Sequence, residues 1–198
     1  MPSKNTFKIK PINELIDRTF KNYIEQYIPW YSDANELHEN AIKLTKFIDT
    51  FANNMKYKYN VITNDLDNQY DTDYNLDALD FLKTFPDNYI DIVLFDPPYS
   101  PRQVSECYKK LDKTVNMQTT QSSYWSNLKK EISGIVRPGG KVISCAWNSG
   151  GIGKTLGFEI EEILLVPHGG WHNDTIVTVE RKVKNEQIQE KNERKTEK

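Results

Sequence analysis

The residues best suited to chemistry are Asp96, Pro97, Pro98 and Tyr99, which directly follow an apolar run at 89–95. The Asp96 carboxylate and the Pro97 carbonyl can each accept one hydrogen of an NH2 group and so orient its nitrogen. Two successive prolines restrict the backbone of this loop, so the orientation of the Asp96 carboxylate and the Pro97 carbonyl is constrained. Tyr99 adds a ring on which an extruded base can stack. The motif predicts a site that positions an amine; the alternative is a proline-rich turn with a capping aspartate and a packed tyrosine.

The elements that must hold this motif are read from the hydrophobic periodicity. A helix is predicted at 12–28, ended by Pro29, and a second from Ser32 or Asp33 through Leu37 and Ile42. Further helices are predicted at 79–85, 102–111 and 125–136. Strands are predicted at 47–51, 59–64, 73–76, 90–95, 141–147, 159–167 and 175–181.

This alternation predicts an α/β fold with a mainly parallel sheet covered on both faces. The last two strands have no helix between them, so they should form an antiparallel hairpin joined through residues 168–172. In open parallel sheets, ligands bind beyond the carboxyl ends of the strands, which is where Asp96 is expected to lie. The predicted organisation is an N-terminal helical segment (1–45) packed on the core, a core (46–183) and a disordered charged tail (184–198).

Composition excludes several classes of protein. The chain has 198 residues, a formal net charge of -2 and two cysteines far apart in sequence, Cys107 and Cys145. No apolar run is long enough for a membrane span, and no secretory signal is visible, so a cytoplasmic protein is expected. The cysteines lack the spacing of a disulfide framework or a zinc site, and no metal is expected. The net charge gives no global argument for nucleic-acid binding, so such a site would be a local basic patch.

The Asp96 to Tyr99 motif resembles the signature D/N/S-P-P-Y/F/W of the DNA amino-methyltransferases. Its first and last residues make it more similar to the adenine-N6 enzymes, and the region 47–182 resembles small methylase-like proteins of phages and mobile elements. The resemblance implies a Rossmann-like class I methyltransferase fold. It also implies transfer of a methyl group from S-adenosylmethionine to the exocyclic N6 amine of adenine, flipped out of double-stranded DNA.

The resemblance also implies a cofactor site at the ends of the first three strands. Asp49 would face the methionine part of S-adenosylmethionine, Asp65 would accept the ribose hydroxyls, and Asp77 would accept the adenine amino group. Each aspartate could instead cap a helix. The complete predicted cofactor set is Asp49, Phe51, Ala52, Asn53, Asp65, Asp77, Ala78 and Asp96.

The first cofactor motif departs from the family because it lacks glycine. All nine glycines lie between Gly134 and Gly170, although a loop that approaches a ligand closely favours them. Asn53 or Asn54 could adopt the left-handed conformation instead. Weak cofactor binding, or an inactive binding protein that keeps the fold, therefore remains an alternative, as do cytosine N4, RNA adenine and a glutamine amide as acceptors.

The chain is also too short for a separate target-recognition domain. A lip of basic and aromatic residues could contact nucleic acid, or specificity could come from a partner or a homodimer. The alternative is a solvated helix face with core aromatics. Residues 150–154 are interpreted as a loop beside the site, and the His168 and His172 pair as part of a turn. The predicted lip consists of Arg102, Tyr108, Lys109, Lys110, Lys113, Tyr124 and Trp125.

Overall fold

The computed structural model describes residues 6–27, 45–115, 121–170 and 173–183. After a short turn at Thr6–Lys8, the helices are α1 (Lys10–Tyr27), α2 (Ala78–Leu82), α3 (Pro101–Lys110) and α4 (Ser122–Ile135). The strands are β1 (Phe47–Asp49), β2 (Val61–Thr63), β3 (Ile90–Phe95), β4 (Val136–Ala146), β5 (Phe158–Val166) and β6 (Thr175–Lys182). The predicted helix at residues 32–42 and the predicted charged tail lie outside the described residues.

The strands form a six-stranded sheet in the order β2-β1-β3-β4-β6-β5. The pairs β1–β2, β1–β3 and β3–β4 are parallel, whereas β6 is antiparallel to both β4 and β5. The strand order reverses at β1 and β3, because the chain passes from β1 to β2 on one side and returns to place β3 on the other. Open α/β sheets bind ligands at such a switch point.

Helices cover both faces of the sheet. The amphipathic helix α1 packs on one face through Ile16, Phe20 and Tyr23, against Phe47 of β1 and Leu94 of β3. Helices α2, α3 and α4 pack on the other face. All six residues of β3 are buried, which places the Asp96 motif at the end of a fully buried strand. The sheet, its antiparallel end and its two helical layers confirm the predicted Rossmann-like α/β fold.

The predicted strand at residues 73–76 is wrong. This segment joins the sheet only through an isolated parallel bridge between Asn64 and Tyr74. Side chains replace ladder hydrogen bonds here: the Asp73 carboxylate accepts from the Thr63 backbone N–H at 2.8 Å, and Asn75 Nδ2 donates to the Asp65 carbonyl at 3.3 Å. Such local side-chain bonds compete with regular strand pairing.

Most other elements differ from the prediction in extent by one to five residues, and two of these differences concern the strands beside the site. Strand β4 begins at Val136, five residues before the predicted start, and continues through Pro138 and Gly139 with a register shift relative to β3. Strand β1 ends at Asp49 instead of residue 51, because Thr50 and Phe51 already form a turn. Across the described residues, every helix is too short or too polar to span a bilayer.

Candidate functional site

A cavity of about 810 Å³ opens at the carboxyl ends of β1, β2 and β3. Each of these strands contributes the residues that follow it, and α3 closes one side. The lining residues include Thr50, Phe51 and Asn53 after β1, Asn64, Asp65 and Asp67 after β2, Asp77 and Ala78 at α2, Asp96 to Tyr99 after β3, and Cys107, Tyr108 and Lys110 on α3. Most of the predicted site residues therefore meet at a single cavity.

The loop after β3 is held by bonds on both of its sides. Trp125 Nε1 donates to the Pro98 carbonyl at 2.8 Å, and the Tyr99 backbone N–H donates to Gln103 Oε1 at 2.6 Å. Among the described residues, no group donates a hydrogen bond to the Pro97 carbonyl. The loop thus presents one unused backbone acceptor next to the Asp96 carboxylate.

The Asp96 carboxylate accepts a hydrogen bond from the Tyr99 hydroxyl through Oδ1, at 2.5 Å. Burial raises the pKa of Asp96 to about 6, while hydrogen bonds from Thr6 and Tyr99 partly oppose that rise. Burial, together with the neighbouring Asp96 charge, also raises the pKa of Tyr99, so its hydroxyl keeps its proton. Asp96 is therefore ionised near neutral pH and becomes a neutral acid in mildly acidic solution.

The glycine-free loop after β1 turns at Asn53, whose φ is 48°. The prediction that Asn53 or Asn54 takes the left-handed conformation is confirmed at Asn53. Its backbone N–H donates to Asp65 Oδ2 at 3.0 Å, and the Asp67 N–H donates to Asp65 Oδ1 at 2.9 Å. Asp65 thus links the loop after β1 to the loop after β2, and all three residues line the cavity.

Asp77 caps helix α2, because its Oδ1 accepts from the Leu79 backbone N–H at 3.0 Å. Its other oxygen accepts a short hydrogen bond from the Tyr108 hydroxyl. The capping role, which the sequence offered as an alternative, is therefore observed. Asp77 also lines the cavity. Its predicted contact with a cofactor stays a prediction.

Asp49 lies behind the cavity wall. It is fully buried, and its carboxylate accepts from the Phe51 N–H at 3.1 Å and the Tyr57 hydroxyl at 2.5 Å. Asp49 and Ala52 are not among the described residues that line the cavity, unlike Phe51. In this structure Asp49 supports the loop from below, and its predicted contact with a cofactor stays a prediction.

Burial raises the pKa of Asp49 to about 7, from an ordinary value of 3.8. Between these values the folded protein retains a proton that the unfolded chain releases, so rising pH favours unfolding. The free energy of unfolding of the wild type should therefore fall, relative to that of Asp49→Asn, by roughly 1 kcal/mol per pH unit between about pH 5 and 7. Urea denaturation of both proteins at several pH values measures this difference; a constant difference would contradict the buried titration.

Thr50 lines the cavity and carries a buried hydroxyl, Oγ1, that has no hydrogen-bond partner among the residues that the structure describes. An unsatisfied buried hydroxyl costs free energy, on the order of 1–3 kcal/mol, unless something bonds to it. Thr50 therefore marks a point where a polar ligand group would be stabilised.

The predicted basic and aromatic lip is only partly an open surface. Tyr108 of α3 and Tyr124 of α4 are buried in the core, as expected from the alternative in which these aromatics are core residues. Arg102 pairs with Glu106 at 2.7 Å, and Lys110 pairs with Asp67 at 3.2 Å, so both cations are partly neutralised. A surface of paired charges attracts nucleic acid less strongly than unpaired cations would.

His168 is the described member of the histidine pair, and it lies in the connection between β5 and β6. The His168 backbone N–H bonds to Asp174 Oδ1 at 3.0 Å, and its Nε2 lies 2.7 Å from Thr175 Oγ1. His172 lies outside the described residues. Within the described ranges, no three His, Cys, Asp or Glu side chains are grouped so that they could hold a metal ion.

Sequence reasoning missed three residues of this region. Tyr57, which holds Asp49, and Thr50 had no recognisable pattern, because their roles come from the way the loop folds back. Trp147 was recognisable: it directly follows β4, at the same end of the sheet as Asp96, and any residue at that position is a candidate.

No protein-family model matches the sequence, and no curated protein sequence matches it. Solved structures do match. HI0767 from Haemophilus influenzae, described as a candidate methylase, is 13% identical with a TM-score of 0.50 over 85% of this chain and 89% of its own. A Burkholderia thailandensis 1,6-didemethyltoxoflavin-N1-methyltransferase, solved with S-adenosylhomocysteine, is 11% identical with a TM-score of 0.48 over 93% and 94%.

A third match is TTHA0409 from Thermus thermophilus, described as a candidate DNA modification methylase. It is 15% identical with a TM-score of 0.35 over 54% of this chain and 50% of its own. Identities this low say nothing about activity. The similarity to HI0767, together with the strand order, shows that the chain has the Rossmann-like fold of the class I methyltransferases.

Proposed function

We propose that the protein transfers a methyl group from S-adenosylmethionine to an exocyclic amine, with adenine N6 in DNA as the acceptor. The observation that carries this proposal is the pair of acceptors, Asp96 and Pro97, at the rim of the cavity. A conjugated amine is a poor nucleophile because its lone pair is delocalised into the ring. Two acceptors that fix both of its hydrogens hold the nitrogen where the lone pair can react.

The residues around the cavity fit S-adenosylmethionine. Asp65, at the end of β2, keeps acceptor capacity for ribose hydroxyls after its two backbone bonds. The unpartnered Thr50 hydroxyl can bond to a polar group of the ligand, and the left-handed Asn53 allows the close turn that glycine usually provides. When bound, the cofactor supplies an electrophilic methyl group on a sulfonium.

In this proposal the chain orients the amine and removes one proton. Asp96 and the Pro97 carbonyl each accept one amine hydrogen, so the nitrogen faces the cavity. Transfer breaks the bond between carbon and sulfur, forms the bond between carbon and nitrogen, and leaves the nitrogen with a proton to lose. Asp96 can take that proton, because burial brings its pKa to about 6, close to neutral pH.

The choice of adenine in DNA rests on the resemblance of the motif, with Asp96 first and Tyr99 last. Cytosine N4, RNA adenine and a glutamine amide present the same NH2 geometry. An assay with tritiated S-adenosylmethionine separates them, with duplex DNA, single-stranded DNA, RNA and a glutamine peptide as acceptors. Label in N6-methyladenine of DNA is expected; label only in another acceptor would reassign the substrate and keep the reaction.

Cofactor binding is tested by calorimetry on protein freed of any copurifying ligand. We expect saturable one-to-one binding of S-adenosylmethionine, weakened about tenfold or more in Asp65→Ala, because that variant loses a charge-assisted acceptor and the clamp on Asn53. Asp71→Ala is the matched control, since Asp71 is an exposed partner of Lys56. No binding by the wild type at millimolar cofactor would overturn the proposed function.

A further inference from the structure

Trp147 is an exposed aromatic residue that the proposed reaction does not yet use; it does not line the cavity itself but contacts Tyr99, which does. It directly follows β4 and is 41% exposed. Its ring meets the Tyr99 ring edge to face, with centroids 5.5 Å apart. Phe95 of β3 pairs with Ser144 of β4 in a parallel arrangement, so the segments that follow these two strands begin side by side at the same edge of the sheet.

The Tyr99 side chain, in contrast, is held by contacts within the protein. Its hydroxyl donates to Asp96 Oδ1 at 2.5 Å, and its ring packs against the core on the α1 side of the sheet. Swinging the ring out to lie flat on a substrate would break the bond to Asp96. The other nearby indole, Trp125, is also fixed, since its Nε1 donates to the Pro98 carbonyl.

We infer that Trp147 stacks the planar heteroaromatic ring of the substrate, and that Tyr99 is a positioning residue that orients the Asp96 carboxylate. This division of roles rests on the proposed function. It departs from the stacking role that the motif assigns to its tyrosine. An indole gives the largest stacking surface of any side chain, and one already partly exposed needs no rearrangement to receive a ring.

The bond from Tyr99 explains how one carboxylate can serve the amine. With Oδ1 engaged by the phenol and a further hydrogen bond from Thr6, the carboxylate cannot rotate freely. The titratable groups that face Asp96 are Asp49, Tyr57, Tyr99 and Cys145. Of these, Tyr99 forms the side-chain hydrogen bond to Asp96.

The role of Trp147 is tested by binding of an oligonucleotide that carries 2-aminopurine at the target base, without any need for methyl transfer. Stacking on an indole should quench its fluorescence. We expect Trp147→Ala to weaken binding about tenfold or more and to lose the quenching, whereas Trp147→Phe keeps most of both. Tyr89→Ala is the matched control, because Tyr89 is 42% exposed but precedes β3, at the opposite end of the sheet.

The role of Tyr99 is tested with Tyr99→Phe, which keeps the ring and removes the hydroxyl. Its hydrogen bond lowers the pKa of Asp96, so its loss should move the acid limb of the rate against pH to higher pH. The quenching of the 2-aminopurine oligonucleotide, which is assigned to Trp147, should persist in Tyr99→Phe. A purely structural role would alter stability without moving this limb.

The outcomes separate this inference from the proposed function. Equal binding and quenching by Trp147→Ala and the wild type would overturn the stacking role, even if methyl transfer is observed. Loss of quenching in Tyr99→Phe or an unmoved acid limb would overturn the division of roles. Absence of cofactor binding with intact quenching at Trp147 would overturn the reaction alone. Competition by free adenosine against the 2-aminopurine oligonucleotide distinguishes a nucleic-acid base from a small-molecule ring as the occupant.

Discussion

Asp96→Asn should lower the rate of methyl transfer at neutral pH by about a hundredfold or more and leave the affinity for S-adenosylmethionine nearly unchanged. The asparagine keeps the size of the side chain but carries no charge to accept the proton. One of its two terminal atoms is a donor, which would oppose the amine hydrogen. Removing one preorganised acceptor from a reacting group costs on the order of 10²–10³ in rate.

Single-turnover transfer from saturating cofactor measures this effect, with calorimetry on the same preparation. Asp80→Asn is the matched control, because Asp80 is an exposed residue of α2 that does not line the cavity. Equal rates for Asp96→Asn and the wild type would remove Asp96 from the mechanism. A parallel loss of cofactor affinity would mean that Asp96 contacts the cofactor, as the motif resemblance also allows.

Gly151→Ala should strongly destabilise the fold. The backbone at Gly151 has φ of 47°, and an added Cβ would lie 2.1 Å from Glu180 Oε2. Glu180 cannot retreat, since it is completely buried and accepts bonds from the Ile152 and Gly153 backbone N–H groups. We expect a loss of roughly 3 kcal/mol or more in the free energy of unfolding, from overpacking and broken bonds to a buried carboxylate.

Gly157→Ala separates the clash from backbone strain. Gly157 also has a positive φ, of 84°, but nothing lies within 4 Å of its added Cβ. Its substitution should cost only about 1–2 kcal/mol, the usual cost of a left-handed alanine. Urea denaturation compares the two variants. Similar losses would show that the Glu180 carboxylate can move, and that it does not anchor the 150–153 loop.

The sequence predicted the parts of the site that local rules determine. Strand β3 and the Asp96 motif were recognisable because a buried parallel strand is a continuous apolar run and prolines restrict the loop after it. The left-handed turn at Asn53 was foreseeable, because a tight loop without glycine leaves asparagine as the best substitute. Both predictions depend only on residues within a few positions of one another.

The parts that were not predicted depend on contacts between distant segments. The resemblance assigns Asp49 to the cofactor, and that contact stays a prediction; the hydrogen bond to its carboxylate from Tyr57, eight residues later in the chain, was not predicted. The segment at 150–154 was interpreted as a loop beside the site, but none of its residues lines the cavity; instead, backbone N–H groups of Ile152 and Gly153 bond to Glu180, 28 residues after Ile152 in sequence. The hydrophobic periodicity of a sequence cannot predict hydrogen bonds between residues that come together only when the sheet assembles.

The packing of α1 has a consequence for how the protein is made. Its apolar face, which includes Ile12, Leu15 and Ile24, shares one core cluster with Val177 and Val179 of β6, and Arg18 pairs with Glu162 of β5 at 2.6 Å. The first described helix therefore emerges from the ribosome about 150 residues before its last partners do. Until β6 has been translated, part of the apolar face of α1 has no partner in the nascent chain, and exposed apolar surface of this kind is prone to aggregation.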